Sequence, residues 1–288
     1  MLLLLSVIDL VEEGVLQRTF VEMAPALLEQ FAAYWSAIMP PGRRGDIIKP
    51  FFHLRHEGFW QLIPRPGRAA VLAAISSPHT MREITENILG AELDAVLFAE
   101  MQAPSGRQAL RNALLSYFDE NLQCRLARQM QLNRKIYDYS QFLMNEAHGL
   151  QAAETMVPLD EITRDQGFRR AVVTAYAHRC SFCGVRMLTA TGHTAVDAAH
   201  IMSWAESHND DVRNGLALCK LCHWAFDELL VSVSCRFTVL TSPQLDGNDN
   251  IPGPVGQLKD RHLLLPTDTV LFPAEQYLCE HRQRFIRG

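Results

Sequence analysis

Apolar positions follow two different rhythms along the chain. From Met1 to about Phe118 they recur mostly at three and four. Met1 to Val11 is almost continuously apolar and closes at Gly14, which predicts a buried helix. Leu27, Leu28, Phe31, Tyr34, Trp35 and Ile38 mark a second helix, stopped by Pro40, Pro41 and Gly42. Thr80 with Glu83 forms a capping box, and Gly90 is expected to close the helix it opens. Ser105 is expected to cap a further helix that runs to Phe118. Lys49 to Pro66 departs from this rhythm. It crowds Phe51, Phe52, Phe59, Trp60 and Ile63 around Gly58, and predicts two short strands about a turn at Glu57-Gly58.

Residues 119–150 carry only a thin apolar stripe of Leu122, Leu126, Met130 and then Ile136 or Tyr137. That predicts a long, partly exposed helix joining two domains. The boundary is expected in 151–163. After Arg164 the pattern changes to a short helix, paired cysteines, short strands and turns, and Ser242 to Gly256 reads as an exposed loop. The expected fold class is therefore α+β: a mainly helical domain over 1–150, including the connecting helix, and a second domain over 151–288.

Composition narrows the function classes. With 48% hydrophobic and 20% charged residues among 288, both domains can build full cores, which excludes a disordered or collagen-like chain. The net charge of -5 does not mark a nucleic-acid binder, so any such surface must be local. The apolar start is not a secretory signal: no positive charge precedes it, Asp9 interrupts it, and Glu12 and Glu13 follow it without a small-residue cleavage site. No stretch reaches the roughly 20 apolar residues of a membrane span. A soluble, cytoplasmic protein is expected, and the uncapped start points to a segment upstream.

Seven cysteines are too few and too odd in number for a disulfide scaffold. Four of them form two CxxC pairs, Cys180/Cys183 and Cys219/Cys222, with 35 residues between. Each CxxC turn sets two thiolates on one side of a knuckle, and two knuckles supply four sulfurs for one zinc ion. A closed four-sulfur site has no open position, so this zinc is expected to be structural. Cys124, Cys235 and Cys279 lie outside the pattern.

Between and just after the pairs stand Asp197-Ala-Ala-His-Ile201, Asn214-Gly-Leu-Ala-Leu-Cys219 and Cys222-His-Trp-Ala-Phe-Asp227. His200, Asn214 and His223, spaced H-x13-N-x8-H inside the four-cysteine frame, resemble the HNH nucleases of the ββα-metal class over about residues 164–230. The resemblance implies two strands and a helix that hold one divalent ion, Mg2+ or Mn2+, against a scissile phosphate. His200 would be the general base, since histidine commonly titrates near neutral pH. Asn214 would hold the His200 segment by hydrogen bonds, and His223 would bind the ion. Ala199 stands where many members have a metal ligand. Asp197, two residues earlier and on the same side of a strand, is the candidate substitute. Asp227, one helical turn after His223, is a further candidate ligand or a partner of His223.

The segment Lys49-Pro-Phe-Phe-His-Leu-Arg-His-Glu-Gly-Phe-Trp60 resembles a block of the sulfur-binding domain family. That domain is joined to HNH modules in restriction enzymes that act on phosphorothioate-modified DNA. The first helix, Phe31 to Trp35 and Tyr277 to Arg282 resemble such proteins too. Charge is compatible: residues 41–70 hold six basic residues against two acidic ones, and so do residues 107–135. A phosphorothioate pocket calls for a cationic donor beside apolar contacts, because sulfur is softer and less hydrated than oxygen. His53, Arg55, Arg65, Arg68 and Tyr117 are the candidate DNA contacts, while Phe51, Phe59 and Trp60 read as core.

Together these features predict a modification-dependent DNA endonuclease with a structural zinc and a catalytic divalent ion, acting on double-stranded DNA as a homodimer. Three alternatives remain open from the residues: an HNH restriction enzyme reading an unmodified sequence or a modified base, a zinc-bearing DNA-binding protein without cleavage, and a partner-binding module using the long 119–150 helix.

Overall fold

The structure, a computed structural model, describes residues 1–40, 42–43, 45–150, 159–247 and 250–287. Contacts divide the chain into two units, Met1–Arg134 with Leu188–His193, and Lys135–Met187 with Thr194–Gly288. Most of the expected 151–163 boundary lies outside the described residues. Among the described residues no helix is long and apolar enough to cross a membrane.

In the first unit the order is α1 (Leu2–Glu12), β1 (Phe20–Val21), α2 (Pro25–Ile38), α3 (Ile48–His53), β2 (Trp60–Pro64), α4 (Ala69–Ala74), α5 (Met81–Asn87), β3 (Ile88–Leu93), α6 (Ala95–Gln102) and α7 (Pro104–Leu115). The long α8 (Glu120–Ala147) begins here and ends in the second unit. A three-stranded antiparallel sheet, ordered β1-β3-β2, sits among the helices. Leu3, Leu5, Val7 and Ile8 of α1 pack with Phe31, Tyr34, Phe51, Phe52 and Trp60 in one core. Nine of the eleven residues of α1 are buried, which suits a helix covered nearly all round, as the nearly continuous apolar run requires.

Three local expectations are corrected. Residues 48–56 are helical, with α3 followed by a 3-10 turn at Leu54–His56, and no hairpin forms about Glu57-Gly58. Phe51 and Phe52 are both fully buried although adjacent, which a strand in a one-sided sheet does not allow. Pro50 lies in the first turn of α3, where its missing N–H costs nothing. The strand that follows, β2, pairs instead with the distant β3, from Trp60 opposite Leu93 to Ile63 opposite Gly90, and the register shifts at Pro64. Gly90 is thus the middle of a strand and not a helix stop. A Cβ there would lie 2.6 Å from the Phe20 ring and from the Val21 carbonyl oxygen, so only glycine lets β1 close on β3. Thr80 does cap α5, accepting from Glu83 N at 3.1 Å. Ser105 makes no cap; α7 starts at Pro104.

A buried acid anchors the helices of this unit. Asp9 of α1 accepts from Gln30 Nε2 at 2.7 Å, from the Tyr34 hydroxyl, and from Arg111 at 2.6 Å. Arg111 also meets Glu12, and Arg107 and Arg134 stand 3.7 and 3.6 Å from the same carboxylate. This changes the charge picture of residues 107–135: two of the six basic residues, Arg107 and Arg111, are largely buried against these carboxylates.

The second unit continues with α9 (Glu161–Ala175), β4 (Val196–His200), α10 (Trp204–Ser207), β5 (Gly215–Cys219), α11 (Lys220–Asp227), β6 (Val231–Val233), β7 (Val239–Thr241), α12 (Gly253–Gly256) and α13 (Glu275–Arg287). β4 and β5 form one antiparallel pair, β6 and β7 another. Phe168, Val172, Phe182, Leu216, Leu218 and Phe226 fill the core. The expected loop at 242–256 carries a 3-10 turn at Pro243–Asp246 and the short α12, with Leu245 and Val255 buried; Asn248 and Asp249 lie outside the described residues.

Candidate active site and metal centre

The two cysteine knuckles are brought together by β5. In the first, Cys180 N donates to Val185 O and Gly184 N donates back to Cys180 O, both at 2.9 Å. Gly184 has φ +79, a left-handed turn that glycine enters without strain. Ser181 N donates to Ala217 O at 2.7 Å, which ties this knuckle to β5. The second pair lies where β5 becomes α11. All four Sγ atoms fall within 4.8 Å of one another, and Cys183 Sγ stands 3.7 Å from Cys219 Sγ. With zinc–sulfur bonds of about 2.3 Å, a tetrahedron has edges of about 3.8 Å, so the spacing fits that ion.

The thiols' own chemistry agrees. A hydrogen bond from Cys222, with backbone N–H groups, lowers Cys180 to about 5. Burial and the negative charge of Cys180 then push Cys183 up to about 11, and Cys222 is driven strongly upward by its hydrogen bond to Cys180 and by burial. Four thiolates cannot coexist in this space without a cation. The cluster can hold zinc.

The catalytic candidates follow from the same hairpin. His200 ends β4 opposite Gly215, the first residue of β5. A Cβ at Gly215 would lie 2.4 Å from Val172 Cγ2 and 3.0 Å from the Phe168 ring, so glycine lets α9 press onto the hairpin at this point. The Phe168 ring in turn lies flat on the His200 imidazole, 3.9 Å between centroids and 9° between planes. Asn214 is fully buried. Its Oδ1 accepts from Met202 N at 2.9 Å, its Nδ2 donates to Met202 O and Asn209 O, and its backbone oxygen accepts from Ile201 N at 2.8 Å. These bonds fix the turn that leaves His200.

His223 stands on α11, with Nε2 3.4 Å from Asp227 Oδ2, one turn on. Burial raises the Asp227 carboxyl above its ordinary value and Glu228 adds to the shift, while His223 opposes it. Asp197 is placed elsewhere: its Oδ1 takes a hydrogen bond from Arg169 Nε at 2.8 Å. Among the described residues the four cysteines are the only gathering of three or more potential ligands, so Asp197 does not join His223 and Asp227. The strand alternation that puts Asp197 beside Ala199 also puts it on the face opposite His200. Trp224 and Leu221 stand exposed on α11, beside His223 in sequence.

One cluster has no counterpart in the motif reading. Asp210 Oδ1 lies 2.9 Å from His200 Nε2, Arg164 Nη1 reaches both Asp210 oxygens at 3.3 and 3.0 Å, and the Tyr139 hydroxyl donates to Oδ2 at 3.0 Å. Arg164 also lies 3.6 Å above the Trp204 ring. Tyr139 comes this close because Gly167 of α9 leaves room for its ring; a Cβ there would stand 2.7 Å from Tyr139 Cδ1. Burial alone would raise the Asp210 carboxyl, but hydrogen bonds from His200, Arg164 and Tyr139 outweigh it and hold the group below its ordinary value. The only sequence signal was an Asp-Asp pair in a polar turn ten residues after His200, which reads as loop.

The DNA-contact candidates lie in the first unit. Arg55 donates to Ile75 O at 3.1 Å and its guanidinium covers the Phe52 ring at 4.0 Å; Arg65 donates to Thr85 O. Both are held by neutral carbonyls, so their charge is not cancelled by these contacts. His53 Nε2 lies 3.4 Å from Ser77 Oγ. Arg55 lines a cleft of about 520 Å³ with His56, Trp60, Leu62, Pro64 and Leu72. His53, Arg65, Arg68 and Tyr117 are not among its lining residues, and Tyr117 is 75% exposed beyond α7. Trp60 and Phe51 are core, edge to face at 5.1 Å.

Comparison with known proteins bears on the second unit. Residues 180–234 match the HNH endonuclease family. The chain therefore carries an HNH endonuclease domain, which supports nuclease activity, and the match covers β4, β5 and α11 with both cysteine pairs. No curated protein matches the chain. Among solved structures, a modification dependent TagI restriction endonuclease aligns with a TM-score of 0.33 and 19% identity, over 47% of this chain and 44% of that one. This chain thus spans less than half the length of that protein.

Proposed function

We propose that the protein is a metal-dependent DNA endonuclease whose first unit recognises phosphorothioate-modified duplex and whose HNH domain hydrolyses a phosphodiester. The observation that carries the nuclease reading is the arrangement of β4, β5 and α11. It sets His200 at a strand end, Asn214 beneath it and His223 on the following helix, over a four-cysteine cluster. Zinc in that cluster would be structural, joining the knuckles that frame the hairpin.

His223 and Asp227 are the residues that would hold Mg2+ or Mn2+. Such ions keep several water or substrate oxygens as ligands, so two protein donors suffice. When bound, the ion supplies charge stabilisation at the phosphate and the leaving oxygen. The chain's own residues do the rest. His200 takes a proton from the attacking water. Asn214 holds the backbone after His200, and Phe168 keeps the ring flat against α9. Asp197, neutralised by Arg169, serves the hairpin and not the ion.

Recognition rests on the cleft that Arg55 shares with Trp60, Leu62, Pro64 and Leu72. It offers one cation beside apolar walls, the combination a thiophosphate sulfur favours over water. Arg65, Arg68 and His53 would meet neighbouring phosphates, and Tyr117 is the least supported contact. Cutting both strands calls for two copies of the chain.

The deciding experiment is digestion of matched plasmids with and without phosphorothioate, with Mg2+ or Mn2+. Cutting of the modified plasmid alone is expected. Equal cutting of both would leave an endonuclease that reads unmodified DNA.

A further inference from the structure

We propose that Asp210 is a positioning residue that fixes His200 with its proton on Nε2, so that Nδ1 is the nitrogen that takes the proton from water. The proposal rests on the reading of His200 as the general base.

The lone-pair count of Asp210 supports a role in orientation and excludes one as a metal ligand. A carboxylate has about four acceptor positions. Oδ1 takes His200 Nε2 at 2.9 Å and Arg164 Nη1 at 3.3 Å; Oδ2 takes Arg164 Nη1 at 3.0 Å and the Tyr139 hydroxyl at 3.0 Å. None is left for an ion. The side chain is only 3% exposed, so water does not compete for it.

An ionised carboxylate can only accept, so the ring nitrogen facing it must donate. With the proton on Nε2, a neutral imidazole has its lone pair on Nδ1. The contacts of the ring leave little freedom. Phe168 of α9 stacks on one face, Trp204 of α10 stands tilted at 6.5 Å, and Asp210 holds the edge. The charged groups around this pair are Asp210 itself and Arg164 on α9, which also pairs with Asp165, with the neutral Tyr139 hydroxyl from α8. Arg164 divides its charge between Asp210 and Asp165, so the Asp210 carboxylate keeps negative charge toward the ring.

When water gives its proton to Nδ1, its oxygen forms the new bond to phosphorus as the bond to the leaving oxygen breaks. The ring then carries protons on both nitrogens, with its Nε2–H still on Asp210, until Nδ1 returns its proton to solvent. A carboxylate at Nε2 stabilises that cation as it forms.

The test uses the full chain. Long-range 1H–15N spectra at about pH 8 report which nitrogen of a neutral imidazole is protonated. The His200 signals are identified by their loss in His200→Gln. A proton on Nε2 is expected; a proton on Nδ1 overturns the proposal whatever the activity. In Asp210→Asn the amide can donate to Nε2, so the tautomer should change. Single-turnover cleavage should fall on the order of 10²–10⁴-fold, the range of general-base catalysis, with DNA affinity unchanged. Wild-type cleavage by that variant with the spectrum altered would overturn the positioning role and leave the nuclease reading standing. If the variant does not fold, the wild-type spectrum still decides. A wild-type protein that cuts no DNA with any divalent ion sinks the nuclease reading and the base role with it, a result distinct from the tautomer outcome.

Discussion

Asp9 in the first unit and Asp210 in the second are buried acids dressed in nearly the same way. Each receives a tyrosine hydroxyl, Tyr34 or Tyr139, and an arginine, Arg111 or Arg164. Around Asp9 the remaining donors are the amides of Gln30 and Asn133, which cannot accept a further proton. Around Asp210 the remaining donor is His200, whose ring has a second nitrogen. The first network is closed and can only hold helices together. The second ends in a group that can do chemistry. Burial and pairing alone therefore do not mark a functional site; the chemistry of the last donor does.

The two units also differ in what holds them, and the largest expected effect breaks them apart on that basis. Replacing Cys222 by Ser, or stripping the cluster with a strong chelator, should unfold the second unit and spare the first. Structural zinc contributes about 10–16 kcal/mol of apparent binding energy in small domains. Limited proteolysis with elemental analysis reads this directly. Survival of 159–247 as a resistant fragment without zinc would show that the cysteines are not its staple.

Next in size is the closed network. Asp9→Ala leaves Arg111 buried beside Glu12 alone and should destabilise the first unit by about 3–5 kcal/mol, the usual cost of breaking a buried pair. Denaturant unfolding measures it. A loss well under 1 kcal/mol would mean that Tyr34, Gln30 and Asn133 do not depend on the acid.

Legibility in the sequence tracks locality. The cysteine frame, Thr80 with Glu83 and the helices over 2–12 and 25–38 are signalled within a few residues of one another, and each appears in the structure. The strand at 88–93 was hidden because its partners, Phe20–Val21 and Trp60–Pro64, lie far off in the chain, so Gly90 read as a helix stop. Asp210 was hidden for the same reason: its donors Tyr139, Arg164 and His200 come from three separate elements. Spacing gives the side of the strand on which Asp197 stands but not the arginine that pairs with it there.

Acid should separate the units less sharply. Burial lowers His281 and His178 to about 4, with arginines nearby adding to the shift. His281 lies on Phe226, 3.7 Å between centroids, and shares a hydrogen bond with Ser232. Their unfolded-state value is 6.5, so between 6.5 and 4 the unfolded chain binds protons that the folded unit refuses. The stability is full above 6.5 and is lost as pH falls toward 4, by at most about 3 kcal/mol for each histidine. In the first unit burial would raise Glu12, but Arg111 outweighs it and holds the carboxyl below 4.5, so its contribution is kept above 4.5 and lost only at lower pH. Between pH 6.5 and 4.5 the two histidines should therefore weaken the second unit, while Glu12 keeps its contribution to the first. Thermal melts followed by unit-specific proteolysis across that range check it, and a unit 1 that fails first would reverse the comparison.

The smallest expected change in stability belongs to Arg55, and it separates an arginine kept for the fold from one kept for a ligand. Arg111 is cancelled by Asp9 and Glu12, whereas Arg55 is held by the Ile75 carbonyl and the Phe52 ring. Losing one net hydrogen bond and a cation–π contact at a partly exposed site costs about 1–2 kcal/mol. Arg55→Ala should therefore leave the protein folded. Its effect on DNA should be the larger one. The cation is lost for both duplexes, but the paired loss of cation and cleft wall falls on the modified one, so the preference for phosphorothioate should shrink as well as the affinity. Arg68→Ala, at the exposed start of α4, should weaken both duplexes alike and reduce the salt slope by about one unit. Binding isotherms for the two duplexes over a salt series separate the cases. An unchanged preference in Arg55→Ala would place sulfur recognition outside the cleft that Arg55 lines, and a lost preference in Arg68→Ala would place it at the start of α4.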